Sequence, residues 1–297
     1  METTAAVMLT QMKRLLGVLL LLAACRHEAM PQQAYQQEIE QWRARRRASL
    51  TEPDGWLSLV ALDWLHEGSN DITLPARPPV TCRFVLQNGR VTLEPNAQLG
   101  IAAPTVLRDD TDPNGPTVVH AGSLSFEAIK RSDVGGDRFG IRARDPRSDA
   151  RTHFKGLDYF PVNPAFRVEA RFEPYRPPKK IPITNVLGMT SDETSPGALV
   201  FTLQGKTFRI DPILEQGETD LFIIFKDATS GKETYGAARY LYAHPPDPNG
   251  RTIVDFNKSY NPPCAFTPFA TCPLPPPQNR LPIRIEAGEK KYAGGHA

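Results

Sequence analysis

Asp255, Asn257, Asn261, Cys264, Cys272, Asn279 and Arg280 sit together near the C-terminal end of the 297-residue chain, in a run crowded with proline and aromatic residues. Proline fixes φ and removes a backbone donor, so such a run is stiff and loses little entropy on ordering. A stiff loop carrying a carboxylate, two thiols, three amides and a guanidinium is suited to holding polar groups in place. Asp255 is a candidate general acid or base, because it lies between apolar Ile253-Val254 and Phe256, where a carboxylate must be paired. Arg239 and Arg280 are its candidate partners, and either could instead fork onto an anionic ligand.

Cys264 and Cys272, eight positions apart, admit three chemistries. As a nucleophile, Cys264 needs a histidine base, and His120, His153 and His244 are all distant in sequence. As a zinc pair they lack two further ligands, and their spacing is wider than the usual Cys-x2–4-Cys, so no metal is expected. The third chemistry is a disulfide across a short loop, worth on the order of 2–3 kcal/mol. A second polar cluster lies at Asp227–Gly236, where Thr229, Thr234 and Tyr235 could line a pocket with Arg239. Ser230-Gly231-Lys232 lacks the first glycine and the following helix of a phosphate loop. No Gly-x-Ser-x-Gly elbow and no cofactor-binding loop is present, and no cofactor is expected.

The N-terminus bears on the sulfur chemistry. Met12-Lys13-Arg14, the apolar run Leu15–Leu22 and Leu22-Ala23-Ala24-Cys25 read as a secretory signal whose cut exposes a cysteine, as in a bacterial lipobox. Residues 1–24 are thus expected to be a lipoprotein signal peptide, Cys25 the lipidated residue and 25–34 a tether. The protein is expected in the cell envelope on the periplasmic side, with the membrane as partner through Cys25 and the outer membrane favoured in a Gram-negative cell. Exported thiols tend to pair, which favours the Cys264–Cys272 disulfide. With 35 basic and 33 acidic side chains nearly cancelling, nothing in the charge invites nucleic acid. Arg43, Arg45, Arg46 and Arg47 read as a solvated helix face.

The positioning elements are mainly strands. Tyr35, Ile39 and Trp42 recur at helical steps, and Pro53-Asp54-Gly55 ends that helix. Short alternating segments follow, with Asn88-Gly89 and Gln204-Gly205 as hairpin turns. The 29 prolines suit turns and edges. The expected fold is a mainly β, antiparallel sandwich or barrel with an N-terminal helix, forming one domain over 35–297. Pro174–Pro182 reads as a crossing loop or hinge. Trp42, Trp56 and Trp64 read as packing anchors.

Several stretches resemble the DUF1684 family of bacterial and archaeal proteins, a domain of unknown function. They are Asp255-Phe256-Asn257, Asn261-Pro262-Pro263-Cys264-Ala265-Phe266 and Cys272-Pro273-Leu274-Pro275-Pro276. Gly55-Trp56-Leu57, Leu62-Asp63-Trp64-Leu65, Thr229-Ser230-Gly231, Thr234-Tyr235-Gly236 and Ile285-Glu286-Ala287-Gly288-Glu289-Lys290 add to them, so the resemblance runs from about Tyr35 to Tyr292. It implies one coherent domain and brings no activity, cofactor or catalytic residue. The expected function is binding of a small polar ligand by Asn257, Asn261, Asn279, Arg280, Thr229, Thr234, Tyr235 and Arg239. The alternative is a hydrolase using Asp255 or Cys264.

Overall fold

The computed structural model describes residues 31–294. The signal peptide, Cys25 and most of the expected tether lie outside the described residues. Helix α1 (Gln32–Leu50) begins inside the stretch expected to be tether. By internal contacts the chain divides at Glu38/Ile39, and residues 32–38 of the first unit form the opening of α1. Within the second unit, Ile39, Trp42, Arg43, Arg46 and Leu50 follow one another at helical steps, and Ile39, Arg43 and Leu50 are buried. No described helix is long and apolar enough to cross a membrane.

The rest is antiparallel sheet, as the alternating segments require. A first sheet orders β1 (Leu59–Trp64), β8 (Gly136–Arg144), β7 (Leu124–Asp133) and β6 (Val119–Ala121), and a second orders β2 (Gly68–Leu74), β3 (Val80–Gln87), β4 (Arg90–Leu93) and β5 (Thr105–Leu107). Leu74, Phe84 and Leu93 of the second meet Leu124, Phe126 and Ile141 of the first in one apolar core. A short helix, α2 (Asp149–Thr152), leads onward.

The second half repeats the layering. One sheet orders β11 (Lys206–Ile210), β10 (Thr190–Leu203), β9 (Arg167–Thr184) and β15 (Arg251–Asp255); another orders β12 (Ile213–Leu214), β13 (Leu221–Phe225) and β14 (Arg239–Ala243). The arrangement is sandwich-like, with no closed barrel among the described residues. Both expected hairpin turns carry the positive φ that a two-residue turn demands: 51° and 71° at Asn88-Gly89, 51° and 74° at Gln204-Gly205.

Pro174–Pro182 corrects the sequence reading: it is the distal part of β9, paired with β10 from Gly197↔Pro174 to Asp192↔Pro182. β15 pairs only with residues 167–171 of β9, so the proline-bearing stretch is an edge, where a missing N–H costs no ladder bond.

Strand β13, Leu221-Phe222-Ile223-Ile224-Phe225, is buried at every position. A strand of period two buried throughout must serve two layers. Leu221, Ile223 and Phe225 face β9–β11 together with Leu281, Ile283 and Ile285. Phe222 and Ile224 face the opposite way with Tyr240, Ile181, Ile183, Cys264, Ala270 and Cys272. That second face, roofed by the proline-rich C-terminal loop, carries the candidate site.

Candidate functional site

On β14, Arg239-Tyr240-Leu241-Tyr242-Ala243, alternation sends Arg239 to the inner layer and Tyr240 and Tyr242 to the outer one. Tyr260 then adds to the edge of β14: Tyr240 N–H donates to Tyr260 O, and Tyr260 N–H to Tyr240 O, both at 2.9 Å. The result is an aromatic platform. Phe222 packs edge-on to Tyr240 and stacks on Tyr242, each with centroids 4.9 Å apart, and Tyr242 runs nearly parallel to Tyr260 at 6.4 Å.

Above this platform opens a cavity of about 510 Å³. Its walls are Phe222, Tyr240, Tyr242 and Tyr260 from the sheet side, Trp42, Arg45, Arg46 and Ser49 from α1, Trp56, Glu215, and Pro263 with Ala270–Pro273 from the C-terminal loop. A neighbouring cavity of about 190 Å³ shares Glu215, Phe222, Thr271 and Pro273 and reaches Arg131. Trp42 and Trp56, expected as packing anchors, are therefore cavity walls.

Polar groups fix this frame. Tyr240 Oη donates to Pro273 O at 2.8 Å and Tyr235 Oη to Cys264 O at 3.0 Å, which ties the loop to the sheet. Tyr242 Oη donates to Glu215 Oε2 at 2.8 Å. Burial raises the Tyr242 and Tyr260 phenols well above their ordinary range, so both are neutral hydroxyls at any pH the fold meets. Arg46 lies 4.6 Å over the Tyr260 ring, donates from Nε to Glu289 Oε1 at 3.0 Å and from Nη2 to Asn261 O at 2.9 Å. Glu289 is buried and also accepts Asn261 N–H at 2.8 Å. Burial pushes its carboxyl up, against the pull of Arg46. Arg45, also on α1, is exposed.

The predicted polar set is distributed otherwise. Asn257, Asn261 and Asn279 are buried and bond to their own protein. Asn257 accepts Asn163 N–H and donates to Asn163 O, both at 2.9 Å, and Asn261 Nδ2 donates to Lys290 O at 2.8 Å. Asn279 accepts Asp211 N–H at 2.8 Å and donates to Asp211 O and Ile224 O. Arg280 is exposed, away from the cavity walls. Thr229 and Thr234 bond to each other at 2.9 Å in a buried network around Asp227. None of these seven side chains, counting Arg239, lines the larger cavity.

Arg239 pairs with Asp227 at 3.2 Å rather than with Asp255, and also donates to Ile285 O and Ala287 O. Burial lowers its guanidinium from the ordinary value and Asp227 opposes that shift. Asp227 is the hub that sequence reasoning passed over. It accepts the Thr229 hydroxyl at 2.8 Å and Ile285 N–H at 2.7 Å. An Asp two residues before a Thr at a strand end, the signature of a side-chain-to-backbone turn, was the available signal.

Asp255 Oδ1 accepts Asn257 N–H at 3.1 Å and caps the one-turn helix Phe256–Lys258. Cys264 and Cys272 are buried free thiols, so the expected disulfide is not formed here. Cys264 N–H donates instead to Cys272 Sγ at 3.1 Å. The contact between the two thiols lowers Cys264 and raises Cys272 from the ordinary thiol range. Of the two, Cys272 reaches the cavity wall. His120, His153 and His244 are all exposed, while Asp255 and Cys264 are buried, so none of the three stands as a base to either.

Fold and site define a β-sandwich protein with an aromatic cavity on the outer face of a three-stranded sheet. The family model for DUF1684, protein of unknown function, matches residues 152–290, which hold that sheet and its roofing loop. The chain belongs to this family. The landmarks Gly55-Trp56-Leu57 and Leu62-Asp63-Trp64-Leu65 lie outside the matched stretch. No curated protein matches. Among solved structures, the solution NMR structure of an uncharacterized protein of Haloarcula marismortui is 30% identical, with a TM-score of 0.41; the match covers 47% of this chain and 78% of that one.

Proposed function

We propose that the protein binds a small organic molecule with a flat aromatic or apolar body in the cavity above Phe222, Tyr240, Tyr242 and Tyr260. The observation that carries this reading is a cavity of about 510 Å³ walled by six aromatic side chains. That volume is within the range of small-molecule sites, which are concave, mostly apolar and edged by a few polar groups. The polar edge here is Glu215, Thr271 and the exposed Arg45. The Asn, Thr and Arg239 groups of the sequence expectation serve as scaffold beneath it. A hydrolase built on Asp255 or Cys264 is less well supported, because Asp255 caps a helical turn and Cys264 is buried while His120, His153 and His244 are exposed.

Trp42 and Trp56 are both cavity walls, so indole emission reports occupancy directly. Titration with a panel of small aromatic compounds is expected to quench tryptophan fluorescence saturably and to raise the melting temperature. Tyr242→Ala removes one face of the platform at a position already 41% exposed, so the fold should survive. Affinity should fall about threefold to tenfold, the value of one aromatic contact. Equal affinity in wild type and Tyr242→Ala would place the ligand elsewhere.

The same reading sets the protein in the cell envelope, exported and anchored through a lipidated Cys25. What supports it is the basic, apolar and small-residue run that ends at Cys25. Expressed in bacteria, the wild-type protein is expected in the detergent phase of a Triton X-114 partition and Cys25→Ser in the aqueous phase. A Cys25→Ser form that still enters detergent would reject the anchor.

A further inference from the structure

The outer face of the first sheet carries three arginines and two carboxylates at close quarters. Arg131 donates from Nη1 to both oxygens of Asp110, at 3.0 and 2.8 Å, and from Nε to Thr271 Oγ1 at 3.0 Å. Arg144 takes Glu127 at 2.6 Å. Glu127 lies directly across the β7–β8 pair from Arg142, yet its charge is already claimed by Arg144. Arg142 is the third arginine, only 3% exposed, with its guanidinium 5.9 Å from the Trp56 ring. Its Nε and Nη2 have no hydrogen-bond partner among the described residues.

Nε and Nη2 form one edge of a guanidinium, the edge that grips both oxygens of a carboxylate at once. Arg83 shows that grip in this same chain, with Nε on Asp71 Oδ1 at 2.8 Å and Nη2 on Oδ2 at 3.0 Å. In Arg142 the equivalent edge meets no acceptor among the described residues. A buried charge left unpaired is strongly unfavourable, so such groups are found paired. Burial, with the charge of Arg131, brings Arg142 down to about 10, which still leaves it charged at neutral pH.

We propose that Arg142 is an oxyanion-binding residue, holding a carboxylate or phosphate group bidentately on its Nε/Nη2 edge. Arg142 lines neither cavity itself, but Trp56, 5.9 Å from its guanidinium, and Thr271, bonded to Arg131, both line the aromatic one. The anion has two sources, a free small ion or the acid group of a molecule seated in the cavity. The inference rests on Arg142 and not on the cavity reading. A protein that takes acetate at Arg142 but no aromatic compound would keep this inference and lose the other.

The test compares thermal stability of the full chain in acetate, inorganic phosphate, benzoate and the neutral benzyl alcohol, at constant ionic strength. Wild type is expected to show a saturable rise in melting temperature with at least one of the anions. The apparent affinity should be at least tenfold weaker in Arg142→Met, which keeps the length of the side chain, and in Arg142→Lys, which keeps the charge but not the fork. Either variant suffices if the other does not fold. If acetate or phosphate protects as well as benzoate, the free ion is the source. If benzoate protects at far lower concentration and also quenches tryptophan emission, the source is the acid group of the cavity ligand. The proposal is overturned if no anion stabilises wild type, or if the variants respond as wild type does.

Discussion

Arg239→Met is expected to lower the unfolding free energy by about 3–5 kcal/mol, the cost of breaking a buried ion pair by removing one partner. The side chain is 1% exposed and the Asp227 carboxylate beside it is fully buried, so the charge left behind has no water to turn to. The loss goes beyond the pair, because Ile285 O and Ala287 O lose their guanidinium donors. Adding Asp227→Leu removes the orphaned charge but strands Ile285 N–H and leaves the Thr229 hydroxyl with Thr234 alone. The double variant should therefore fall short of the summed single losses, with a coupling of about 1.5–3 kcal/mol, yet remain less stable than wild type. Urea unfolding of the four proteins measures both quantities. An Arg239→Met protein within about 1 kcal/mol of wild type would contradict the pair as drawn.

This pair explains how the C-terminal segment contributes to the site without entering it. Leu281, Ile283, Ile285 and Ala287 pack into the inner layer beneath β13 and β14, and Arg239 with Asp227 latches their backbone. Gly288 completes the latch: its φ is +75°, and a Cβ there would lie 2.4 Å from Ser259 O. The next residue, Glu289, reaches Arg46 and Asn261 and so fixes the arginine that stacks on Tyr260. A chain of buried polar contacts thus runs from the inner core to the rim of the cavity.

Parts of this were legible in the sequence because they depend on local period and turn chemistry. Tyr240-x-Tyr242 on a strand puts two phenols on one face, and Asn88-Gly89 fixes a hairpin whatever lies around it. The polar residues of the C-terminal loop stand out by type, but their partners were not legible. Asn279 bonds to Asp211 and Asn257 to Asn163, across 68 and 94 positions. A buried amide and a ligand-binding amide look the same in one sequence, since both sit among prolines and apolar residues. Trp42 and Trp56 meet at the cavity only because α1 and the chain before β1 converge on the loop. Arg142 occupies an outward-facing position of an alternating strand, and its burial comes from packing that no local pattern encodes.

Asn279→Ala tests which of the two kinds of amide this residue is. Its side chain acts as a short piece of strand, accepting Asp211 N–H at 2.8 Å and donating to Asp211 O at 2.9 Å and Ile224 O at 3.0 Å. All three backbone groups lose that partner in the alanine variant. A buried group left unsatisfied costs about 1–3 kcal/mol, so the loss should reach about 3 kcal/mol or more. At this chain length that corresponds to a melting temperature lower by on the order of 6–10 °C. Asn279→Asp should do no better, because it sets a carboxylate oxygen against two carbonyls where the amide donated. Asn279 is absent from the cavity wall, so quenching of Trp42 and Trp56 by a bound aromatic compound should retain its affinity at temperatures where the variant is folded. An Asn279→Ala protein with unchanged melting temperature and lost binding would move the site from the aromatic platform to the polar loop.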